Sequence, residues 1–262
     1  MSTLYEALRA RLDAGEPAVV ATVIDGPAHV GRKLLLRPGD DPLGSLGDPA
    51  LDAQATVDAL ELLASERSEQ RRYATPQGET AVFLEVYPRP PRLLIFGAVH
   101  TGIQIAAFAK QLGFRVSVID ARSAFATRER FPHADDLIVK WPDEALQEIP
   151  VDESTYAVLL THDEKFDDPT LMALLRTNCR YIGAIGSRTT TLERNERLRA
   201  QGFSDEELAR IHSPIGLDLG AVTPEEIGLS IVAEMIATRY GRDGRKLSAK
   251  LREAEATEGA RS

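Results

Sequence analysis

The chain has 262 residues, room for one large domain or two small ones at roughly 150 residues each and enough to bury a substantial core. Its 43% hydrophobic and 27% charged residues exclude a disordered chain and a fibrous repeat. Thirty-one basic against 40 acidic residues give a net charge of −9 and argue against a nucleic-acid partner held by a basic surface, while the single cysteine, Cys179, excludes a disulfide scaffold and a Cys-based zinc site. No apolar run approaches the ~18 residues that span a bilayer, and Met1–Glu6 has neither a basic n-region nor an apolar h-region. No membrane partner and no secretory leader are therefore expected, and the cytoplasm is the expected compartment.

In chain order, Leu4, Leu8 and Leu12 fall on one face of a short amphipathic helix. Ala18 to Ile24 reads as a strand and Lys33 to Leu36 as another. The loop between them holds Gly26, His29, Gly31 and Arg32. A stretch dense in turn formers, Pro38 to Pro49, ends with Asp48 as an N-cap and Pro49 at the first position of a helix that runs to about Ser65. Thr80 to Val86 alternates as a strand does. Residues 1–87 thus form a small α+β domain. In Tyr87-Pro88-Arg89-Pro90-Pro91, three prolines in four residues make residues 88–91 an extended connector.

From residue 92 the texture becomes strand and helix in alternation. Strands are predicted at 92–96, 114–119, 136–139, 155–160 and 180–185. Helices are predicted at 101–112, 124–130, 143–147, 168–177, 188–200, 205–211 and 224–240. Apolar strands between helices mean an α/β domain over 92–240, a Rossmann-like parallel sheet with helices on both faces. Residues 241–262 have no apolar periodicity after Leu251 and read as a flexible tail.

The first strand–helix turn is Phe96-Gly97-Ala98-Val99-His100-Thr101-Gly102. It keeps the first and third glycines of the dinucleotide fingerprint G-x-G-x-x-G, as Gly97 and Gly102, but has Val99 where backbone must approach a pyrophosphate. NAD(P) is therefore disfavoured, although Asp120 stands where a ribose-binding carboxylate would. The two glycines are weighted toward turn geometry and helix packing. Asp120 and Arg122 mark one strand's carboxyl end, the edge at which open α/β sheets bind ligands, and His162 and Asp163 mark another. His162, Asp163 and Asp167 carry metal-ligand chemistry, but no second histidine lies at ligand spacing, so no metal site is expected. Asp168 before Pro169 reads as an N-cap. Gly186, Ser187 and Arg188 open a helix with free N–H groups, a hydroxyl and a guanidinium, a combination suited to phosphate. Thr223, Pro224 and Glu226 form a capping box. That leaves Pro214-Ile215-Gly216-Leu217-Asp218-Leu219-Gly220, where Gly216, Asp218 and Gly220 read as a loop held close to a ligand.

Taken together, Val118-Ile119-Asp120-Ala121-Arg122, Thr161-His162-Asp163, Tyr181 to Arg188, and Pro214 to Ala221 with Thr223-Pro224-Glu225-Glu226 resemble the XdhC/CoxI family, accessory factors of xanthine dehydrogenase and related molybdenum hydroxylases. The resemblance covers about residues 92–240 and extends to 1–87 only in outline. It implies a chaperone that binds molybdenum cofactor, as molybdopterin or its dinucleotide form, protects it, assists its sulfuration and delivers it to an apo molybdenum hydroxylase. It further implies a homodimer and admits a cysteine desulfurase as a second partner. Gly97, His100, Gly102, Asp120, Arg122, His162, Asp163, Gly186, Ser187, Arg188, Gly216, Asp218 and Gly220 would bind the cofactor, with no catalytic residue. Two departures from the family pattern stand out. Val99 and Thr101 replace residues of a usual Gly-Ala-Gly-His-Val-Gly turn, and the Gly44 to Asp52 segment lacks the cysteine of a frequent Gly-Gly-Cys-Glu motif. An NAD(P)-dependent oxidoreductase and a nucleotide-sensing interaction protein are the alternative readings.

Overall fold

In the computed structural model, which describes residues 3–249, the chain parts into two units at the Pro90–Pro91 bond. The first unit opens with α1 (Leu4–Asp13), started by a capping box between Thr3 and Glu6. It continues through β1 (Ala18–Asp25), β2 (Lys33–Leu36), β3 (Leu43–Gly44), α2 (Pro49–Ser65), β4 (Glu69–Thr75) and β5 (Gly78–Tyr87). The strands form an antiparallel sheet in the order β3-β2-β1-β5-β4. Alternation along β1 sends Val19, Ala21 and Val23 toward Leu51, Ala55, Ala59 and Leu62 of α2. Ala18 and Val20 face the other way, against Leu4 and Leu8 of α1. Asp48 caps α2 by accepting from the amides of Ala50 and Leu51, as its position before Pro49 predicts.

The second unit contains β6 (Arg92–Phe96), α3 (His100–Gln111), β7 (Arg115–Ile119), β8 (Asp136–Ile138), α4 (Pro142–Glu148), β9 (Thr155–Leu159), α5 (Glu164–Leu175), β10 (Tyr181–Ala184), α6 (Arg188–Ala200), α7 (Asp205–Leu208), β11 (Ile211–His212) and α8 (Pro224–Arg239). Its six strands are parallel, in the order β11-β10-β9-β6-β7-β8. This is the doubly wound Rossmann arrangement, and the strand order reverses between β6 and β9. Both faces are covered. Leu93 and Ile95 of β6 pack with Ile105 of α3 and Ile231 and Met235 of α8. Leu94 and Phe96 pack on the opposite side with Leu171 and Leu174 of α5 and Leu198 of α6.

Three predicted elements differ. Residues 124–130 are turns rather than a helix. There the Phe125 ring is held under the Arg122 and Arg130 guanidiniums, 4.5 and 5.4 Å from its centroid, while Phe131 is buried. The helix expected to start after Asp168 starts at Glu164, with Asp163 as the cap and Pro169 inside it. Pro169, the sixth residue of that helix, withholds the N–H that would have bonded the Lys165 carbonyl, and Asp168 instead pairs with Arg197 of α6 at 2.7 Å. The helix expected over 205–211 ends at Leu208, and Ile211–His212 adds a sixth strand beside β10. Of the expected tail, Gly244 packs against Leu217, and residues 250–262 lie outside the described residues.

Candidate functional site

At the strand-order reversal, where the carboxyl ends of β6, β7 and β9 meet, lies a cavity of about 390 Å³. Gly97 and Val99 line it from the turn after β6, and Ile119, Asp120 and Arg122 from the end of β7. Pro142 joins them from the start of α4, and Leu160, Thr161, His162, Asp163 and Phe166 from the loop between β9 and α5 and the first turn of α5. Each side chain arrives here because its strand stops here. Parallel strands end on a common edge, and the backbone bonds Gly97 N–H to Ile119 O and Leu160 N–H to Phe96 O, both 2.9 Å, lock the three ends in register.

Asp120 is buried and saturated. Its Oδ1 accepts from the Arg122 amide and Arg122 Nε, both at 2.9 Å, and its Oδ2 from the Ala98 amide and Arg122 Nη2, both at 2.8 Å. Burial raises its pKa, but the Arg122 guanidinium and the two amides outweigh burial and hold the carboxyl below its usual range. It therefore clamps the glycine turn in place. Gly97 has φ +104, and a Cβ there would come within 2.9 Å of Thr161 Cγ2. Gly102 lies against Leu160 and the Gly97 carbonyl, so α3 sits close on the sheet. Val99 gives its amide to the Gly97 carbonyl at 3.0 Å and packs in part against the core. At the far wall, Phe166 stacks on Trp141 with ring centroids 4.4 Å apart.

Beneath the cavity floor, Asp167 turns inward, accepting the Thr161 hydroxyl and facing Arg194 Nη2 at 3.7 Å. Burial pushes its pKa up to about 6 despite Thr161 and Arg194, which pull the other way. Asp167 is engaged by Thr161 and Arg194, and among the described residues no group of three or more His, Cys, Asp and Glu is placed to hold a metal ion. Arg194, 2% exposed, also donates to Ile185 O at 2.8 Å and Ser213 Oγ at 3.0 Å. It thereby braces the turns after β10 and β11.

Of the predicted site residues, Gly97, Asp120, Arg122, His162 and Asp163 line the cavity. Gly102 supports it from behind. His100 is exposed at the first position of α3 and does not line it. Gly186, Ser187 and Arg188 lie at the end of β10, on the same sheet edge but outside the lining. Ser187 caps α6 by accepting the Thr190 amide, and the exposed Arg188 makes no hydrogen bond or ion pair among the described residues. The 214–220 segment belongs mainly to packing. A Cβ at Gly216 would come within 2.6 Å of Ser230 Oγ, and its amide donates to Glu234 at 2.9 Å. Asp218 and Gly220 are both exposed, and neither lines the cavity. Phe166 and Pro142 went unread in the sequence, since both resemble ordinary residues at helix starts. Thr161 could have been found as the residue that ends the strand just before His162.

Residues 93–235 match the model of the XdhC Rossmann domain, and residues 11–74 that of the XdhC and CoxI family. Among curated proteins, a probable xanthine dehydrogenase subunit of Bacillus subtilis is 35% identical over 191 residues, covering 73% of this chain and 52% of that protein. The uncharacterized protein YqeB of Escherichia coli is 25% identical, covering 87% of this chain and 44% of its own. The chain thus spans about half the length of these two relatives. The molybdenum cofactor insertion chaperone PaoD of Escherichia coli is 23% identical, covering 88% of this chain and 86% of its own. A crystal structure of a xanthine dehydrogenase from Bacillus halodurans shares the fold, with a TM-score of 0.54 and 22% identity over 91% of this chain and 96% of that one.

Proposed function

The chain belongs to the XdhC and CoxI family, and from that premise we propose that it is an accessory protein of a xanthine dehydrogenase-type molybdenum hydroxylase, holding molybdenum cofactor and passing it to the apo-enzyme. The observation that carries this reading is the cavity at the β6–β9 reversal. Its volume of about 390 Å³ suits a small-molecule ligand. Its walls divide as a pterin requires. Val99, Ile119, Leu160 and Phe166 offer apolar surface to a flat ring, and Arg122, His162 and Asp163 offer a few polar anchors. The names of the relatives, a cofactor insertion chaperone and a dehydrogenase component, point the same way.

The chain's own residues bind and orient in this reading, and none is asked to make or break a bond in the cargo. Excluding water falls to the apolar wall, and Asp120 keeps the turn rigid through Ala98. Arg188, unpartnered beyond the cavity, is the contact we assign to a nucleotide extension if the dinucleotide form is carried. A thiol has no part in the proposal. Burial pushes the Cys179 pKa up to about 12, and its Sγ lies against the Thr155 and Tyr181 carbonyls at 3.3 Å.

The test is transfer. The full chain is loaded with isolated molybdenum cofactor and added to a cofactor-free xanthine dehydrogenase. Hydroxylase activity should recover to a greater extent than with the same amount of free cofactor. Equal recovery with and without the chain would end the accessory reading.

A further inference from the structure

A Rossmann fold that reads a ribose does so with a free carboxylate at the end of its second strand. Asp120 occupies that place without that capacity. A carboxylate has about four lone-pair positions, and Asp120 spends all four on the amides of Ala98 and Arg122 and on Arg122 Nε and Nη2. Held ionised, it has no proton to donate either. A vicinal diol arriving here would find no free acceptor on Asp120. What faces the cavity is Arg122, whose side chain is 51% exposed and whose Nη1 has no partner among the described residues. The Phe125 ring beneath it, 4.5 Å from the guanidinium carbon, keeps the plane of the guanidinium fixed.

The opposite end carries the reverse polarity. Asp163 Oδ1 accepts the Lys165 amide at 3.0 Å as the cap of α5, and its Oδ2 takes no hydrogen bond among the described residues. Asp163 is an exposed carboxylate that lines the same cavity. With β6 between them, β7 and β9 lie roughly 10 Å apart, two strand spacings. The cavity therefore offers a cation with free donors at one end, apolar and aromatic surface in the middle, and a free acceptor at the other end.

We propose that this cavity selects a flat heterocycle bearing a phosphate monoester, with the phosphate on Arg122 and the N–H edge of the ring on Asp163. This deepens the cofactor-binding reading and rests on it for the identity of the ring as a pterin, while the place of the phosphate follows from the saturated Asp120 and the exposed Arg122 guanidinium beside it.

Two pairs of probes that differ only by a phosphate separate the two claims: neopterin with its monophosphate, and adenosine with 2′-AMP. Binding to the purified full chain is measured by calorimetry. The phosphorylated member of at least one pair should bind ten-fold or more tighter than its parent. Arg122→Gln should cut that ratio below three-fold, and Arg122→Lys should keep part of it. Asp163→Asn should weaken both pterins by a similar factor. Equal affinity within each pair in the unaltered chain overturns the proposal, as does absence of binding by all four probes, and neither result depends on a variant folding. A phosphate preference confined to the adenosine pair would keep the Arg122 assignment and remove the pterin reading. Pterin binding with no phosphate preference in either pair would overturn the Arg122 assignment and leave the cofactor-binding reading standing.

Discussion

Asp167 offers a sharp test of how this sheet edge is built, because two opposed forces act on one buried carboxyl. Its neighbour Arg194 would hold it ionised, while burial favours the neutral acid, and burial wins, raising the pKa from 3.8 to about 6. A carboxyl whose folded pKa exceeds its unfolded value stabilises the fold most below the unfolded pKa and loses that contribution as pH rises through the folded pKa. The difference of about two units, at 1.36 kcal/mol each, amounts to about 3 kcal/mol, withdrawn between about pH 4 and pH 6. Asp167→Asn keeps the shape and an acceptor for the Thr161 hydroxyl but cannot titrate. Urea unfolding of both proteins, followed by the fluorescence of the single tryptophan, Trp141, reports on the second unit at the right place. The stability of the parent minus that of the variant should fall by about 3 kcal/mol from pH 4 to pH 6 and then level off. A difference that rises with pH, as a dominant ion pair with Arg194 would produce, or one that stays flat, would refute the balance assigned here.

Two other perturbations probe neighbouring parts of the edge. Gly97→Ala puts a Cβ 2.9 Å from Thr161 Cγ2 at a φ of +104, which should cost about 1–3 kcal/mol and lower the melting temperature; a melt indistinguishable from the parent would mean that the turn is not held as described. Tyr181→Phe removes the hydroxyl donated to Glu234, a carboxylate that also receives the Gly216 amide and faces His212 Nδ1 at 3.3 Å. A loss of about 1.5–3 kcal/mol is expected in urea unfolding, against no loss if that hydrogen bond contributes nothing.

Much of the fold was legible because its signals are local. The apolar runs at Leu93–Phe96 and Tyr156–Leu160, separated by helices, specify a parallel sheet buried on both sides. The elements that escaped are those whose form is set by tertiary contacts. Strand β4 is polar, with only Tyr73 buried, because it lies at a sheet edge. The 124–130 turns carry helix-like residues, but Arg122, Phe125 and Arg130 stack on one another instead. The site shows the same division. The turn around Gly97 and the carboxylate at Asp120 could be read from spacing, whereas Phe166 and Pro142 reach the cavity only through how α4 and α5 pack. Glycine motifs misled in one instance. A glycine admits close approach of a ligand or of the chain itself, and at Gly216 the close neighbour is Ser230 of α8.

The most direct measurement is binding of isolated molybdenum cofactor to the purified chain, with NAD and NADP titrated in parallel and Trp141 emission recorded throughout. Because Trp141 stacks on Phe166 in the cavity wall, a ligand that fills the cavity should change its emission. Saturable cofactor binding at one per chain is expected, with a matching change in emission and no such response to NAD. Saturation by NAD with no cofactor binding would contradict the proposed function, showing that Val99 admits a pyrophosphate and that the cavity is a nicotinamide site.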